Sequence, residues 1–413
     1  MPKKGLVVGL DIGTTKVCAI AGEVDGDREV HIIGMGTSPS LGLRKGVVVD
    51  LEATIRGIEE AVERAERMAG AHFTSAFVAV SGEHINSANS RGIVAVSRSD
   101  HEIEGGDVSR VVEAARMNAL PASDRDLIHL LPRGFMVDGQ DGVHNPVGMF
   151  GARLEVDAHI VTGLATILAN VIKCVQEAGL EVEELVLEPL AAAEAVLTPP
   201  ERELGTVVAD IGGGTTSLGV FAGGGLCHTA IIPVGGTHIT SDVAVGLRTP
   251  VNEAEKLKIR AGAASPEMAA EGELIEVFTV GDRTPRILAR RVLCEIIEPR
   301  LGEIMALIRA QLRRSGFAHL VPGGIVLTGG TALLAGIAPY AAERLDIPAR
   351  TGAPEQVSGV TEAVRGPAYS TAVGLVQIGA QDRSGLRLLR AANGGRGAVE
   401  RLRGWVRAVL AGA

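Results

Sequence analysis

The chain carries the same short motif in each half of its sequence, and this repeat limits the folds it can adopt. The first copy reads LVVGLDIGTTKVCAIAG (residues 6–22) and the second reads TVVADIGGGTTSLGVF (residues 206–221). In both, an apolar, β-branched run leads to Asp-Ile-Gly, a threonine pair follows, and a second apolar run begins. This pattern predicts two antiparallel strands joined by a tight glycine turn. Two such units in 413 residues predict a duplicated α/β chain.

Each glycine turn has the chemistry of a phosphate site. Glycine lets backbone N–H groups approach an anion because no Cβ obstructs them, and threonine hydroxyls and a lysine add donors. An aspartate at the strand end can hold Mg²⁺ directly or through water. A single turn of this kind is also ordinary hairpin chemistry, but two copies at matching places predict a cleft with phosphate loops on both sides. The residues concerned are Asp11, Gly13, Thr14, Thr15 and Lys16 in the first copy and Asp210, Gly212, Gly213, Gly214, Thr215 and Thr216 in the second.

Composition narrows the class of partner. The chain has a net charge of -9 with one Trp, two Tyr and seven Phe, so it lacks the basic surface and the stacking platforms of a nucleic-acid-binding protein. Positive charge is concentrated at the C-terminal end, where residues 383–413 hold seven arginines and one glutamate. We therefore expect no nucleic-acid partner and a separate basic segment at this end.

The rest of the pattern alternates strands and helices, with one interruption. DLEATIRGIEEAVERAERMAG (50–70) has the apolar spacing of a helix, with Asp50 as its cap and Gly70 as its stop. Residues 84–161 do not show this alternation of strands and helices and are predicted to form a compact α+β module inserted into the first half.

Three segments of the second half have distinctive patterns. TPPERELG (198–205) is predicted to be a hinge between the halves. A long amphipathic stretch (285–314) is predicted to be a helix interrupted near Pro299. After Val376 the apolar period is lost, which predicts a flexible linker.

Five motifs in order, LDIGTTK, LEPLAAAEAVL, ADIGGGTT, AEKLK and VLTGGTALLAGI, resemble the actin–Hsp70–sugar kinase superfamily. Longer stretches resemble the FtsA family of bacterial cell division proteins over nearly the whole chain, namely PSLGLRKGVVVDLEAT, NSRGIVAVS, VDGQDGVHNPVGMFGARLEVDAHIVTG, PVGGTHITSDVAVGLRTP and EIIEPRLGEI. The resemblance implies an α/β, actin-like (ribonuclease H-like) duplicated two-domain fold with an inserted α+β subdomain of the SHS2 type.

The resemblance also implies how the chain is divided. The expected parts are domain I (1–83 and 162–197), the inserted subdomain (84–161), the core of domain II (198–239 and 315–380), a smaller subdomain of domain II (240–314), a flexible linker (381–396) and an amphipathic membrane-targeting helix (397–413).

By the resemblance, ATP with Mg²⁺ is the expected cofactor, and the residues of both turns meet its phosphates. Asp11 and Asp210 are the expected magnesium ligands. Glu188 matches the residue that positions the attacking water, and with Asp210 it forms the catalytic pair of an ATPase that is weak at most. The alternative for Glu188 is a cap on the helix that Pro189 begins. The expected adenosine contacts are Glu255, Lys258, Gly329, Gly330 and Thr331, although Glu255 and Lys258 also have the spacing of a solvated ion pair.

One position departs from the family pattern. Relatives usually continue the second turn as GGGTTD, whereas this chain has Ser217 where that aspartate would stand. Phosphate binding needs donors, but activation of water needs an acceptor. We therefore expect slow turnover or none, with binding retained.

The resemblance implies several partners: the C-terminal tail of FtsZ, further copies of the chain in a filament, and later division proteins recruited through the inserted subdomain. The FtsZ tail is expected to dock on residues 240–310, with Arg286, Arg300 and Glu303 as the contacts. The alternative for these three residues is a solvated helix face.

The C-terminal segment GAVERLRGWVRAVLAGA has the pattern of an amphipathic helix at a membrane surface. The apolar face holds Val399, Leu402, Trp405, Val406, Val409 and Leu410, and the flanking arginines are Arg401, Arg403 and Arg407. A helix packed back on the protein is the alternative, but the preceding linker and the acidic body favour anionic lipid. The expected location is the cytoplasmic face of the bacterial inner membrane at the division septum.

Two other functions share this cleft. A soluble sugar-kinase-like phosphotransferase would need a carboxylate base beside a sugar pocket and would have no use for the amphipathic segment. A scaffold like the pilus-assembly protein PilM would share the insert but would not need this C-terminal segment.

Overall fold

The computed structural model describes residues 5–25, 29–119, 123–279, 285–383 and 389–390. The first half of domain I contains β1 (Gly5–Ile12), β2 (Lys16–Val24), β3 (Val30–Pro39), β4 (Leu43–Arg44), β5 (Val47–Val48), α1 (Leu51–Ala69) and β6 (Ser75–Val80). Helix α1 begins at the predicted cap, where Asp50 Oδ1 accepts a hydrogen bond from Ala53 N at 3.0 Å. It ends at Gly70, whose φ of 64° is left-handed.

The inserted subdomain follows β6 and has its own small core. Its elements are β7 (Asn86–Ala95), α2 (Gly105–Asn118), β8 (Arg125–Val137), β9 (Gln140–Val143) and β10 (Arg153–Leu164). The antiparallel strands β8, β10 and β7 form one sheet, and α2 packs on β7 and β10. The buried residues between helix and sheet include Val111, Phe135 and Leu154. The interruption in the sequence pattern therefore corresponds to a separate α+β unit.

The chain then returns to domain I and crosses to domain II. This stretch contains α3 (Ala165–Glu177), β11 (Glu181–Leu187), α4 (Glu188–Val196) and α5 (Pro199–Leu204). The predicted hinge at 198–205 is wrong in its local structure, because Thr198 and Glu201 cap α5 reciprocally. Glu201 also pairs with Arg350 at 2.8 Å, and this contact lowers the pKa of Glu201 to about 2.

Domain II repeats the plan of domain I and then extends it. Its elements are β12 (Thr206–Ile211), β13 (Thr216–Ala222), β14 (Gly225–Ile232), α6 (Gly236–Leu247), α7 (Val251–Ala261), β15 (Leu274–Val277), β16 (Arg286–Ala289), α8 (Arg290–Ser315), β17 (Ile325–Thr328), α9 (Ile337–Leu345) and β18 (Ala349–Thr351). The elements that follow in the chain are β19 (Val357–Gly359), α10 (Ser370–Arg383) and β20 (Leu389–Arg390).

The two sheets have the same topology. In domain I, β1, β2 and β3 form an antiparallel meander, and β6 and β11 extend it in parallel beyond β1. In domain II, β12, β13 and β14 form the meander, and β17 and β18 extend it in parallel beyond β12. This match confirms the duplication that the repeated motif predicts.

Helix α8 corrects the predicted interruption near Pro299. The helix runs unbroken from Arg290 to Ser315 with Pro299 inside it, although proline has no N–H to give to the preceding turn. Ile297, Leu301 and Ile304 are fully buried in the core of domain II. Packing of this apolar face compensates for the missing hydrogen bond.

The last part of the chain corrects the predicted end of domain II. Strand β19 pairs in parallel with β3 of domain I, and α10 packs on α4 and β1. Ala372, Val373 and Leu375 are fully buried in the domain I core. The end of the segment assigned to domain II as 315–380 therefore belongs with domain I.

The predicted linker (381–396) is only partly described. Helix α10 continues through Arg383, and β20 pairs with β8 of the inserted subdomain. The other linker residues lie outside the described part. Among the described residues, no helix combines the length and the apolar character that crossing a bilayer requires.

Candidate functional site

The two repeated turns have the same backbone geometry. In the first, Gly13 N donates to Lys16 O at 2.9 Å, and in the second, Gly212 N donates to Thr215 O, also at 2.9 Å. Each turn closes a strand pair in which the aspartate lies at an equivalent register, Asp11 opposite Cys18 and Asp210 opposite Ser217. The sequence repeat is therefore also a structural repeat.

The tips of the two turns face each other and touch. A Cβ added to Gly213 would lie 2.6 Å from Thr15 Cγ2, and one added to Gly214 would lie 2.6 Å from Thr14 Oγ1. Such separations are well inside van der Waals contact, so glycine is required on the domain II side. The predicted phosphate loops thus converge on one place between the domains.

A cavity of about 200 Å³ lies beside this contact and is lined by both domains. The predicted site residues on its wall are Asp11, Gly13, Thr14, Thr15, Lys16, Glu188, Asp210, Gly212, Gly213, Thr215, Gly329 and Gly330. The predicted residues Gly214, Thr216, Glu255, Lys258 and Thr331 lie outside the wall of this cavity.

Three acidic residues lie around the cavity. Burial, together with the neighbouring carboxylates of Asp210 and Asp11, raises the pKa of Glu188 well above its ordinary value. Burial likewise raises the pKa of Asp210, against a hydrogen bond from Thr371 Oγ1 to Asp210 Oδ2 at 2.8 Å. Burial also raises the pKa of Asp11, and the charge of Lys16 opposes that shift. The cluster is therefore short of positive charge.

Glu188 begins α4, directly after strand β11 and before Pro189. Its Oε2 accepts a hydrogen bond from Ser217 Oγ of domain II. Ser217 Oγ lies 2.9 Å from Ser81 Oγ, at the end of β6 in domain I. The carboxylate of Glu188 is thus held by a side chain of the opposite domain rather than serving only as a helix cap.

Lys16 makes contacts that its sequence position did not predict. Its Nζ donates to Ala368 O at 2.6 Å and lies 4.0 Å from the centroid of the Tyr369 ring. Both partners belong to the short turn that precedes α10. The ammonium group therefore lies at the cavity wall, with a carbonyl and an aromatic face as its neighbours.

The predicted adenosine residues on α7 form an ion pair. Lys258 Nζ lies 2.7 Å from Glu255 Oε2 and donates to Thr240 Oγ1 at 2.9 Å and Gly236 O at 3.2 Å. Thr331 Oγ1 donates to Gly212 O at 3.1 Å. These contacts connect α7 to α6 and the Gly329–Thr331 segment to the second phosphate loop.

Arg300 and Glu303, predicted for the FtsZ contact, form an ion pair on α8. Arg300 also holds Asp242 of α6 with both ends of its guanidinium, at 2.7 and 3.1 Å. Arg286 lies on the exposed strand β16. The residues predicted for the membrane helix (397–413) lie outside the described residues.

Sequence reasoning missed a polar junction between the inserted subdomain and domain II. His159 Nδ1 lies 2.7 Å from Asn89 Oδ1, and its Nε2 lies 2.6 Å from Thr229 Oγ1 on β14. His129 Nε2 accepts a hydrogen bond from Leu187 N, next to Glu188, at 3.0 Å. Burial lowers the pKa of His129 to about 4 and is the main cause that lowers that of His159 to about 3. In the sequence these histidines and this asparagine are isolated polar residues within strands, and no local pattern predicts that they contact other segments.

Two family models match the chain, "Cell division protein FtsA" over residues 207–374 and "SHS2 domain inserted in FTSA" over residues 82–162. The cell division protein FtsA of Pseudomonas aeruginosa is 48% identical over 379 residues, which cover 92% of this chain and 90% of that relative. The chain belongs to the FtsA family. FtsA of Escherichia coli (strain K12) is 41% identical over 381 residues, which cover 91% of this chain and 90% of that protein.

Solved structures agree with an actin-like FtsA fold. A chain of the "PilM-PilN type IV pilus biogenesis complex" is similar with a TM-score of 0.66 and 19% identity, covering 91% of this chain and 98% of that one. MreB5 of Spiroplasma citri, in a crystal structure bound to ADP, is similar with a TM-score of 0.54 and 17% identity, and the match covers 90% of this chain and 95% of that one. At these identities the likeness concerns the fold, and it confirms the predicted actin-like architecture. The match over residues 82–162 confirms the predicted SHS2 subdomain.

Proposed function

We propose that this FtsA-family chain binds ATP between its two domains, forms filaments on the cytoplasmic face of the inner membrane at the division septum, and tethers FtsZ there. The observation that carries the proposal is the convergence of two identical glycine turns on one acidic cavity. The 48% identity to an FtsA over 92% of the chain favours this function over a sugar kinase or a pilus-assembly scaffold.

The nucleotide part of the proposal assigns the two turns to the phosphates. Backbone N–H groups and the hydroxyls of Thr14, Thr15 and Thr215 are the donors, and Lys16 adds charge once it leaves Ala368. The loop tips touch, and the phosphates are assigned to the cavity beside this contact. Gly329, Gly330 and Thr331, with Glu255 and Lys258 nearby, are assigned to the adenosine. The crystal structure of MreB5 bound to ADP supports the assignment of a nucleotide to a protein of this fold.

The residues present fit Mg²⁺ as a partner of the phosphates. Asp11 and Asp210 supply carboxylate oxygens at the cavity wall. Burial is the main cause that raises the pKa of both carboxyl groups, and a bound cation would favour their charged forms. Among the described residues, no group of three or more His, Cys, Asp or Glu forms a metal site by itself. Magnesium usually takes one or two carboxylates together with water and phosphate oxygens. It would neutralise the phosphate charge when bound.

Glu188 is assigned to the water that attacks the terminal phosphate, with Asp210 beside it. Ser217 gives Glu188 a donor but adds no acceptor near the cavity. We therefore infer that hydrolysis is slow and that ATP acts mainly by closing the domains.

The partner contacts are assigned to two different subdomains. The FtsZ tail is assigned to the small subdomain of domain II, with Arg286, Arg300 and Glu303 as contacts. Arg300 already holds Asp242, so an acidic tail would have to compete with that ion pair. The inserted subdomain is assigned to filament contacts and to later division proteins.

Membrane binding is assigned to the amphipathic segment 397–413. A single short helix binds a lipid surface reversibly, and each arginine near anionic lipid adds about 1 kcal/mol. A filament presents many such segments at once, so that weak individual binding becomes stable attachment.

The tether is tested by reconstitution with anionic vesicles, ATP and fluorescent FtsZ of the same organism. The intact chain should float with the vesicles and bring FtsZ with it. Removal of residues 396–413 should abolish both signals. Val406→Glu should lower vesicle binding at least tenfold, because a charge enters the apolar face. Ala408→Glu carries the same charge change on the opposite face and should lower it much less.

A second pair of variants separates FtsZ recruitment from membrane binding. Arg300→Glu should lose FtsZ while the chain itself still floats, and Arg313→Glu, an exposed arginine of the same helix, should lose neither. The tether hypothesis fails if the intact chain stays in solution with anionic vesicles. The FtsZ assignment fails if Arg300→Glu and Arg313→Glu recruit FtsZ equally.

A further inference from the structure

Ser81 and Ser217 meet across the boundary between the two domains. Ser81 follows β6 of domain I, and Ser217 lies on β13 of domain II. Their hydroxyl oxygens are 2.9 Å apart, and Ser217 Oγ donates to Glu188 Oε2. Ser81 borders the cavity, whereas Ser217 is fully buried. Three segments that are far apart in the sequence thus converge on one carboxylate.

Two hydroxyls reach the same carboxyl group. Ser217 Oγ donates to Glu188 Oε2, and a hydrogen bond from Ser81 also acts on the Glu188 carboxyl group. A serine hydroxyl carries one proton and can accept further hydrogen bonds, so the two serines can also contact each other. Glu188 is therefore held by one hydroxyl from each domain.

Position 217 is also opposite Asp210 in the β12–β13 pair. An aspartate at this position would face Asp210 across the hairpin, where like charges destabilise a strand pair. It would also add a carboxylate beside Glu188. In this chain the same position supplies a hydrogen-bond donor instead. The first turn has no equivalent, because its matching residue is Cys18 opposite Asp11.

We propose that Ser81 and Ser217 are positioning residues that align Glu188 only when the two domains are closed. The two hydroxyls belong to different domains, so any opening of the cleft separates them and releases the Glu188 side chain. Closure and alignment of the carboxylate are therefore one event. This proposal rests on the proposed ATP-binding function and extends it to the control of Glu188.

The kinetic test compares Ser81→Ala, Ser217→Ala and the double variant with the intact chain at saturating MgATP. Each single variant should lower kcat about tenfold, the usual effect of losing one hydrogen bond to a carboxylate. The double variant should be no slower than the singles, because both serines are needed together to align one carboxylate and the loss of either releases it. Ser217→Thr keeps the hydroxyl and should restore most of the rate. ATP affinity should stay within about twofold throughout, and Ser241→Ala on α6 is the matched control.

A second readout does not depend on turnover. Spin labels at Glu59→Cys on α1 and Glu343→Cys on α9, two exposed positions in different domains, report the distance between domains. With a non-hydrolysable ATP analogue, both alanine variants should show a smaller closed fraction than the intact chain and Ser241→Ala. The four native cysteines are buried, which favours selective labelling.

The outcomes separate this proposal from the proposed function. Additive rate losses in the double variant, or an unchanged closed fraction in both alanine variants, would overturn the positioning role. If the intact chain binds ATP without measurable turnover, the distance measurement alone decides. Absence of ATP binding in the intact chain would contradict the proposed function instead, and the nucleotide-free distance distributions would then decide whether the serine contact holds the domains together.

Discussion

At the scale of single residues, the cavity is acidic and depends on contacts from outside the repeated turns. Asp210 is held by Thr371, and Glu188 is held by Ser217. Both carboxylates have raised pKa values, with burial as the largest cause. A folded state that binds protons more tightly than the unfolded chain loses stability as pH rises toward the raised pKa values.

This acidity predicts a pH dependence that one substitution should reduce. Between pH 6.5 and 8, without nucleotide or Mg²⁺, the free energy of unfolding of the intact chain should fall as Glu188 and Asp210 ionise. Glu188→Gln removes one buried acid. Across this interval the free energy of unfolding of the variant should therefore fall less than that of the intact chain, by on the order of 2 kcal/mol. Denaturant unfolding at several pH values measures the difference.

The control for this prediction is Glu59→Gln on the exposed face of α1, which should follow the intact chain. Burial lowers the pKa of His129 and is the main cause that lowers the pKa of His159. These two histidines therefore make the protein less stable as pH falls, which is the opposite of the change expected from Glu188. Parallel pH profiles for the intact chain and Glu188→Gln would show that the pKa of Glu188 is not raised in the folded state.

The residues of the two turns were predictable from sequence, but their neighbours were not. A glycine turn with aspartate and threonine carries its own geometry, so Asp11 and Asp210 were found at equivalent places. Ser81, Thr371 and Ala368 reach the cavity from separate segments, and only tertiary packing brings them there. No local pattern distinguishes such a serine from any other at a strand end.

At the scale of elements, the two domains are joined by two helices that cross at small residues. Helix α10 contacts α4 closely, and a Cβ added to Gly374 would lie 1.8 Å from Ala191 O. A Cβ added to Gly9 of β1 would lie 2.5 Å from Ala372 O on the other side of α10. The helix is thus held between a strand and a helix with no room for a larger side chain.

This crossing predicts opposite effects for the same substitution in two helices. Gly374→Ala should lower the free energy of unfolding by about 2–3 kcal/mol, because α10 must move away from α4. Gly106→Ala in α2, where a Cβ would meet nothing within 4 Å, should be neutral or add up to about 1 kcal/mol through helix propensity. Thermal and denaturant unfolding measure both. Equal effects of the two changes would mean that α10 packs less closely on α4 than described.

Elements with complete local signals were predicted well, and those fixed by packing were not. Helix α1 has its cap, its apolar face and its glycine stop in one continuous stretch. By contrast, α8 passes through Pro299 because its buried face outweighs one lost hydrogen bond. Strand β19 and helix α10 follow domain II in sequence yet pack on domain I, which no local pattern reveals.

At the scale of the whole molecule, the duplicated sheets, the cleft between them and the inserted subdomain form one connected system. The insert contacts β14 of domain II through Asn89 and His159, and it contacts Leu187, next to Glu188, through His129. These contacts connect both domains to the subdomain to which we assign filament and division-protein contacts. The sequence predicted the two halves and the bounds of the insert, but the contacts of the insert with β14 and Leu187 required the structure.

The central claim is that both turns bind one nucleotide from opposite sides, and calorimetric titration with MgATP tests it most directly. We predict one site per chain, weakened at least tenfold by Lys16→Ala in the first turn and by Thr215→Val in the second, because each removes a phosphate donor. Lys256→Ala, an exposed lysine of α7, should bind as the intact chain does. Two independent sites, or an affinity that responds to only one of the two turns, would contradict the account.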